Sequence, residues 1–192
     1  MTSGQKLLWR LFSVYGFLYV LLYAFYILII TVIHSSYSRV SIPAVLLPFI
    51  LLLLFELVLW KRAYGDLKIE REVKTKLKVI TILGSLPLLV CITMLTVNEY
   101  KSMFSTEKWL NNISGRVYMV DDLLNDYDLN GKTNKEVTNL LGTPTETEYF
   151  KTENNIVYYL GDERGLISID SEWLVIEFDD SEKVKKYMVV TD

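Results

Sequence analysis

The chain has one cysteine and one histidine among its 192 residues, Cys91 and His34. A single cysteine cannot form a disulfide within the chain, so cysteine usage gives no information about the redox compartment. A catalytic pair of serine or cysteine with histidine would have to use His34, which ends an apolar run. A zinc site built from histidine and cysteine would have too few ligands. These absences remove most hydrolytic and zinc chemistry, and we expect neither enzymatic activity nor a cofactor or metal.

Charge of both signs is present, but it is unevenly divided along the chain. Residues 1–98 hold ten Lys/Arg and four Asp/Glu, a net charge of +6, whereas residues 99–192 hold ten and nineteen, a net charge of −9. This asymmetry indicates two physically distinct halves, which we take as domains 1–98 and 99–192. An acidic domain without a basic cluster is poorly suited to a phosphate backbone, so we expect no nucleic-acid partner.

Three long apolar runs occupy the first half, at residues 11–33, 41–60 and 79–97. The first run has no charged residue and would measure about 34 Å as a helix, enough to cross a bilayer core. It is longer than the apolar part of a signal peptide, and no small-residue cleavage pattern follows it. We therefore predict a membrane domain of three transmembrane helices.

The connection between the second and third runs, residues 61–78, is rich in basic residues. Such short loops stay on the cytoplasmic side of a membrane. With three crossings, the N-terminus shares that side, and the domain from residue 99 onward lies outside the cytoplasmic membrane. The connection is also a candidate for contact with anionic lipid. Its basic residues are Lys61, Arg62, Lys68, Arg71, Lys74, Lys76 and Lys78.

Two features of the apolar runs have both a structural and a functional interpretation. Glu56 is the one charged residue in its run, and intramembrane carboxylates are functional candidates. It lies one turn from Lys61, which favours an interfacial or locally paired carboxylate over a buried functional one. Tyrosines also recur on one face of the first helix, either as a packing face, which we favour, or as a ligand-lining stripe. They are Tyr15, Tyr19, Tyr23 and Tyr26.

The second half begins with helical signals. Ser105 is a good N-cap, and residues 116–129 place apolar side chains at helical spacing. Thr133 followed three residues later by Glu136 is a capping box. Val137 and Leu141 supply the buried stripe of that helix, and its end is marked by Gly142 and Pro144.

The periodicity then changes to two. Residues 155–160, 173–178 and 184–190 alternate as strands do, and residues 145–150 form a weaker fourth candidate. Two or three short helices followed by a three- to four-stranded antiparallel sheet is an α+β arrangement. The helices should cover one face of the sheet. The other face is then wet or binds a partner, with Tyr159 and Trp173 as candidate contacts.

The segment LNGKTNKEVTNLLGTP, residues 129–144, resembles the signature of the BamE family, also called SmpA/OmlA. Members of that family are small lipoproteins of the outer-membrane assembly machine. The resemblance covers about residues 104–190 and implies a fold shared with β-lactamase-inhibitor-like modules, with a protein-binding sheet surface rather than an activity. The residues that match the pattern are Gly131, Thr133, Val137, Leu141, Gly142 and Pro144.

The chain departs from that family at its anchor. BamE proteins have a lipid-modified N-terminal cysteine, whereas this chain has three apolar runs in its place. A role in outer-membrane assembly is therefore not implied. The organisation better suits a bacterial cell with a single membrane, where the second domain faces the wall or the exterior.

These observations predict a membrane-anchored, non-enzymatic, extracytoplasmic protein-binding module with an assembly, inhibitor or immunity-type role. Its expected partners are the membrane and an unidentified protein on the outer side, and no small-molecule substrate is evident. Two alternatives stay open. One is a sensor that couples the outer domain to the basic connection, and the other is a carboxylate-dependent membrane enzyme that would use clustered acidic residues or Glu56.

Overall fold

The computed structural model describes residues 3–63, 67–165 and 167–192, with side chains described outside residues 63–69. The chain divides into two compact units, Met1–Asn98 and Glu99–Asp192. Each has its own apolar core.

Three long helices build the first unit, α1 (Ser3–Ile33), α2 (Ser41–Ala63) and α3 (Leu67–Ser102), and the last four residues of α3 belong to the second unit. Each is long and apolar enough to cross a membrane. The basic connection is more helical than the sequence pattern predicts, because α2 continues to Ala63 and α3 already begins at Leu67. Lysine, arginine and glutamate are good helix formers, so a polar stretch without proline can extend a helix beyond its apolar part.

The interior of the helical unit is narrow and contains aromatic residues, whereas its outer surface is apolar. Side chains spaced at helical intervals on α1, including Phe12, Tyr19 and Tyr23, pack against α2 and α3. Many large apolar side chains point away from this core. Water-soluble monomers rarely expose so much apolar surface, which agrees with a membrane location. Examples are Phe17, Val20, Leu28, Leu54, Ile82 and Leu83.

The second unit begins with short helices: α4 (Thr106–Asn111), a 3₁₀ turn at Ile113–Gly115, α5 (Arg116–Asp126) and α6 (Asn134–Leu141). Ser105 caps α4, since its side chain accepts a hydrogen bond from the Lys108 N–H. The predicted helix order is confirmed.

Three strands follow, β1 (Asn155–Asp162), β2 (Ser171–Phe178) and β3 (Val184–Thr191). They form an antiparallel meander in the order β1-β2-β3. A bulge interrupts the β1–β2 register at Gly161, whose φ is +136°. A Cβ there would lie 2.5 Å from the backbone oxygen of Ser114, so only glycine lets β1 approach the 3₁₀ turn this closely.

The helices pack on one face of this sheet, and the core lies between the two layers. Trp109, Leu123 and Val137 of the helices meet Tyr158 of β1 and Leu174 of β2. All five side chains are fully buried. The helix-facing positions alternate along each strand, as expected for a sheet covered on one side.

The fourth candidate strand, residues 145–150, does not form, and that prediction is wrong. Only Thr145 pairs with β1, where its N–H donates to the Val157 oxygen at 2.8 Å and its hydroxyl accepts from the Tyr159 N–H at 2.9 Å. Pro144 has no N–H to continue the ladder, and Phe150 has a φ of +55°, which an extended strand excludes.

Candidate functional site

The face of the sheet that points away from the helices is apolar. Alternation along the strands places there the members of a second cluster, called the outer sheet face below. An antiparallel sheet with one face on its helices and the other in water usually has polar side chains on the second face. The outer sheet face consists of Val157, Tyr159, Trp173, Val175, Met188 and Val190.

Trp173 lies at the centre of the outer sheet face. Tyr149 stacks on its ring with 5.7 Å between ring centroids, and Tyr159 meets it edge-on at 5.1 Å. The indole is 7% exposed, and its Nε1 is buried without a hydrogen-bond partner in the described part of the chain. An unsatisfied buried donor costs about 1–3 kcal/mol, so this arrangement leaves a strong donor unused.

The cover over Trp173 comes from the segment between α6 and β1. Tyr149 is 58% exposed although it stacks on Trp173, and its neighbour Phe150 is also exposed. Asn155 holds the turn that follows, since its Nδ2 donates to the Phe150 oxygen at 2.8 Å and its Oδ1 accepts from the Thr152 N–H at 3.0 Å. An aromatic pair is therefore presented beside the outer sheet face by a segment without helix or strand.

The two residues proposed from sequence as partner contacts, Tyr159 and Trp173, are brought together. Tyr159 is half-buried and donates to Asp162 Oδ1 at 3.2 Å; burial, with a further contribution from that carboxylate, raises the pKa of its phenol. Trp173 is less exposed than an outward position implies. Sequence reasoning missed Met188 and Val190, which strand alternation could have identified, and Tyr149, for which no local pattern exists.

Most motif residues of the 129–144 segment cap, bury or end α6. The capping box forms, because Glu136 Oε2 accepts from the Thr133 N–H at 2.8 Å and Thr133 Oγ1 accepts from the Glu136 N–H. Val137 and Leu141 are fully buried. The helix ends at Gly142, whose φ is +77°. Of the two remaining motif residues, Gly131 is exposed and has a φ of +73°, and Pro144 is half-buried.

In the helical unit, the tyrosine stripe of α1 is a packing face. Its hydroxyls donate to backbone carbonyls of the neighbouring helices at 2.5–2.7 Å. The hydrogen bonds of Tyr15, Tyr19 and Tyr23 agree with the packing interpretation, whereas Tyr26 also lines the cavity described below. The pairs are Tyr15 with Pro48, Tyr19 with Gly84, and Tyr23 with Val45.

Glu56 is buried inside the helical unit, which the interfacial interpretation did not expect. Its side chain meets Thr81 of α3, with Oε2 2.5 Å from Thr81 Oγ1. Within the described residues, Oε1 has no hydrogen-bond partner. The orientation of α2 directs Glu56 toward α3 although Lys61 is close in sequence, and within the described residues Glu56 forms no ion pair with Lys61.

A cavity of about 460 Å³ lies where α1 ends and α2 begins. This volume is within the range of small-molecule sites, about 300–1,000 Å³. Its walls are largely apolar, and serines form the polar part of its lining: Ser35, Ser36, Ser38 and Ser41. Two of these hydroxyls are hydrogen-bonded locally, since Ser38 Oγ donates to Ser41 Oγ and Ser41 Oγ donates to the Ser36 backbone carbonyl.

The described basic side chains of the 61–78 segment are exposed on the end of α2 and the start of α3, and are called the cationic surface below. The charged groups described are exposed, and none of them is in an ion pair with a described acidic residue. The side chain of Lys68 lies outside the described residues. The described members are Lys61, Arg62, Arg71, Lys74, Lys76 and Lys78.

In the described ranges, no group of three or more His, Cys, Asp or Glu side chains is placed to hold a metal ion. Comparison of the chain with protein-family models, with curated proteins and with solved structures gives no match.

Proposed function

We propose that this chain is a multi-pass protein of the cytoplasmic membrane whose second unit binds another protein on the outer side through the outer sheet face. The contact residues would be Tyr149, Tyr159, Trp173, Met188 and Val190. The role is non-enzymatic, as in an assembly factor, an inhibitor or an immunity-type protein. The resemblance of residues 129–144 to the BamE signature supports a protein-binding sheet.

The observation that carries the proposal is the buried indole N–H of Trp173, which has no hydrogen-bond partner among the described residues. Tyrosine and tryptophan are enriched in protein interfaces, where they combine apolar area with a hydrogen-bonding group. Tyr149 stacks on this indole from a segment that forms neither helix nor strand. Rotation of Tyr149 would open the donor to a carbonyl of a partner and would remove the cost of leaving it unsatisfied.

The partner should present apolar side chains surrounded by basic ones. The apolar centre follows from the composition of the outer sheet face. The basic surround follows from the net charge of −9 on residues 99–192, because complementary charge accelerates association and suppresses wrong partners.

Photocrosslinking in intact cells tests the binding surface. A photoreactive phenylalanine analogue replaces Tyr149 or Met188, with Lys135, exposed on α6, as the control position. We expect the same protein adduct from positions 149 and 188, none from position 135, and a lower yield when Trp173→Phe removes the N–H. Equal yields from all three positions, or none from 149 and 188, would refute the proposed surface.

The proposed orientation has the N-terminus and the basic segment in the cytoplasm, as the distribution of lysine and arginine favours. In a Cys91→Ala background, a single cysteine replaces either Ser181 or Thr75, both of which are exposed. A membrane-impermeant maleimide added to intact cells should label position 181, whereas position 75 should require permeabilisation. If only position 75 is labelled in intact cells, the orientation is the reverse of the proposed one.

A sensor role is the second candidate, and the continuity of α3 favours it. The basic residues Arg71, Lys74, Lys76 and Lys78 lie on the same uninterrupted helix as the third apolar run. A rotation or shift of that run would therefore move the cationic surface. Replacing these four residues by glutamine should abolish a downstream response while the maleimide pattern stays unchanged; an intact response would exclude this role.

A further inference from the structure

Glu56 is the one acidic side chain buried in the helical unit among the described residues. It is 7% exposed and lies on α2, with α3 and α1 packed against it. Its titratable or hydrogen-bonding neighbours are Thr81 on α3 and Tyr19 on α1, whose phenol lies within electrostatic range. No described lysine, arginine or histidine forms an ion pair with it. A charged carboxylate here would have no compensating cation in the part of the chain that the structure describes.

The hydroxyl of Thr81 has two close oxygen neighbours, and their hydrogen-bonding needs indicate that the carboxyl group of Glu56 carries a proton. Thr81 Oγ1 lies 2.5 Å from Glu56 Oε2 and 3.0 Å from the carbonyl oxygen of Leu77. A threonine hydroxyl has a single proton, and a backbone carbonyl can only accept. That proton cannot point straight at both oxygens, so two linear hydrogen bonds at Oγ1 need a second proton, and a protonated carboxyl group is the available source. In that arrangement a carboxylic acid would donate to Thr81, and Thr81 would donate in turn to Leu77.

The environment of the other carboxyl oxygen, Oε1, independently favours the neutral acid. Oε1 is buried without a described hydrogen-bond donor. For a neutral carbonyl oxygen this costs about 1–3 kcal/mol, whereas a charged atom left unpaired in an apolar interior costs several kcal/mol more. The neutral acid is thus the form that fits its surroundings.

We propose that Glu56 and Thr81 form a proton-binding site inside the helical unit. One proton adds to the carboxylate, gives the neutral acid, and completes a hydrogen-bond chain from α2 through Thr81 to the Leu77 carbonyl of α3. Packing of α2 against α3 is consequently linked to proton occupancy. This inference does not depend on the protein-binding role of the second unit.

Infrared difference spectroscopy of the full chain in lipid nanodiscs tests the site directly. At neutral pH, the wild-type spectrum minus the Glu56→Gln spectrum should show the C=O stretch of a protonated carboxylic acid, because only the wild type has that group at position 56. Thr81→Val, which keeps the side-chain shape and removes the hydroxyl, should shift the band to higher frequency. A wild-type spectrum without the band, or a band that survives in Glu56→Gln, overturns the proposal.

Labelling with dicyclohexylcarbodiimide gives a second readout that needs no variant. The O–H of a protonated carboxyl adds across the carbodiimide, and the O-acylisourea rearranges to an N-acylurea with no leaving group, so the mass rises by one reagent molecule. Mass spectrometry should locate the adduct at Glu56 and not at Glu72, which is exposed on α3. Absence of an adduct at Glu56 in folded protein counts against a protonated site.

Discussion

Arg164 and Glu172 form a two-pronged ion pair across the β1–β2 hairpin. The Nε–Oε1 distance is 3.0 Å and the Nη2–Oε2 distance is 2.9 Å, and the Arg164 backbone N–H also donates to Oε1 at 2.9 Å. Glu172 is 6% exposed. Burial alone would lower the pKa of Arg164, but hydrogen bonds and charge from Glu172 and Asp121 outweigh it and raise that pKa.

The first prediction follows from this pair. Arg164→Ala leaves the buried Glu172 carboxylate without its main partner and should lower the free energy of unfolding of the second unit by about 1–3 kcal/mol, because the arginine is itself partly solvated. Asp121→Asn is the control. It removes the exposed arm of the network and should cost less than about 1 kcal/mol. Hydrogen exchange of strand amides in the full chain measures both changes.

Partial rescue distinguishes a stranded charge from a general loss of packing. Adding Glu172→Gln to Arg164→Ala neutralises the stranded carboxylate, so the double variant should be more stable than Arg164→Ala alone. If the loss in the double variant equals the sum of the losses in Arg164→Ala and Glu172→Gln, the ion pair is not the cause of the loss.

The second prediction compares two glycines in the same hairpin. Gly161→Ala places a Cβ against the Ser114 backbone oxygen and imposes an alanine at a φ of +136°, so we expect a loss of about 1–3 kcal/mol or more. Gly165→Ala meets no heavy atom within 4 Å and should be close to neutral. Thermal unfolding in nanodiscs compares the pair, and similar midpoints would argue against the bulge geometry.

The third prediction compares two buried tryptophans. Trp109 Nε1 donates to the Leu141 oxygen at 3.1 Å, whereas Trp173 Nε1 has no described partner. Trp109→Phe should therefore lose a hydrogen bond of about 0.5–1.5 kcal/mol in addition to packing. Trp173→Phe removes an unsatisfied donor and should cost less or even stabilise. Chemical denaturation of the full chain ranks the two, and the reverse order would contradict the unpartnered N–H.

The fourth prediction concerns pH and the capping box of α6. Hydrogen bonds from the Thr133 N–H and then from its hydroxyl lower the pKa of Glu136 below the ordinary value of 4.5. Because the folded-state pKa is the lower one, the stabilisation is complete above the unfolded-state pKa and is lost as pH falls through the folded-state value.

Glu136→Gln is the matched variant, since a glutamine can still cap but does not titrate. We expect it to reduce the loss of α6 protection between neutral and acidic pH, as followed by hydrogen exchange. An unchanged pH dependence would mean that other carboxylates account for it.

Local features were predictable where a few neighbouring residues decide the structure. Thr133 and Glu136 are three residues apart, so their capping box depends on one helical turn. Alternation in β2 correctly placed Leu174 on the helix side and Trp173 opposite. The strand at 145–150 was predicted wrongly because Pro144 limits its hydrogen bonds and Phe150 adopts a left-handed conformation, which alternation does not reveal.

The candidate site was only half predictable. Tyr159 and Trp173 follow from strand alternation, but Tyr149 reaches Trp173 from a segment without periodicity. Glu56 was expected near Lys61 and the membrane interface, yet the rotation of α2 turns it toward Thr81, 25 residues further along the chain. Such rotation depends on how three helices fit together, which the apolar content of each run does not specify.

The sequence by itself determined the three apolar helices, the charge contrast between the halves and the helix-then-strand order, because helix propensity, capping and hydrophobic periodicity act over a few residues. Only the tertiary structure decided which distant groups meet: the carboxyl of Glu56 with Thr81, and Trp173 beneath Tyr149. Those contacts depend on helix rotation and loop path, which close packing of the whole unit selects.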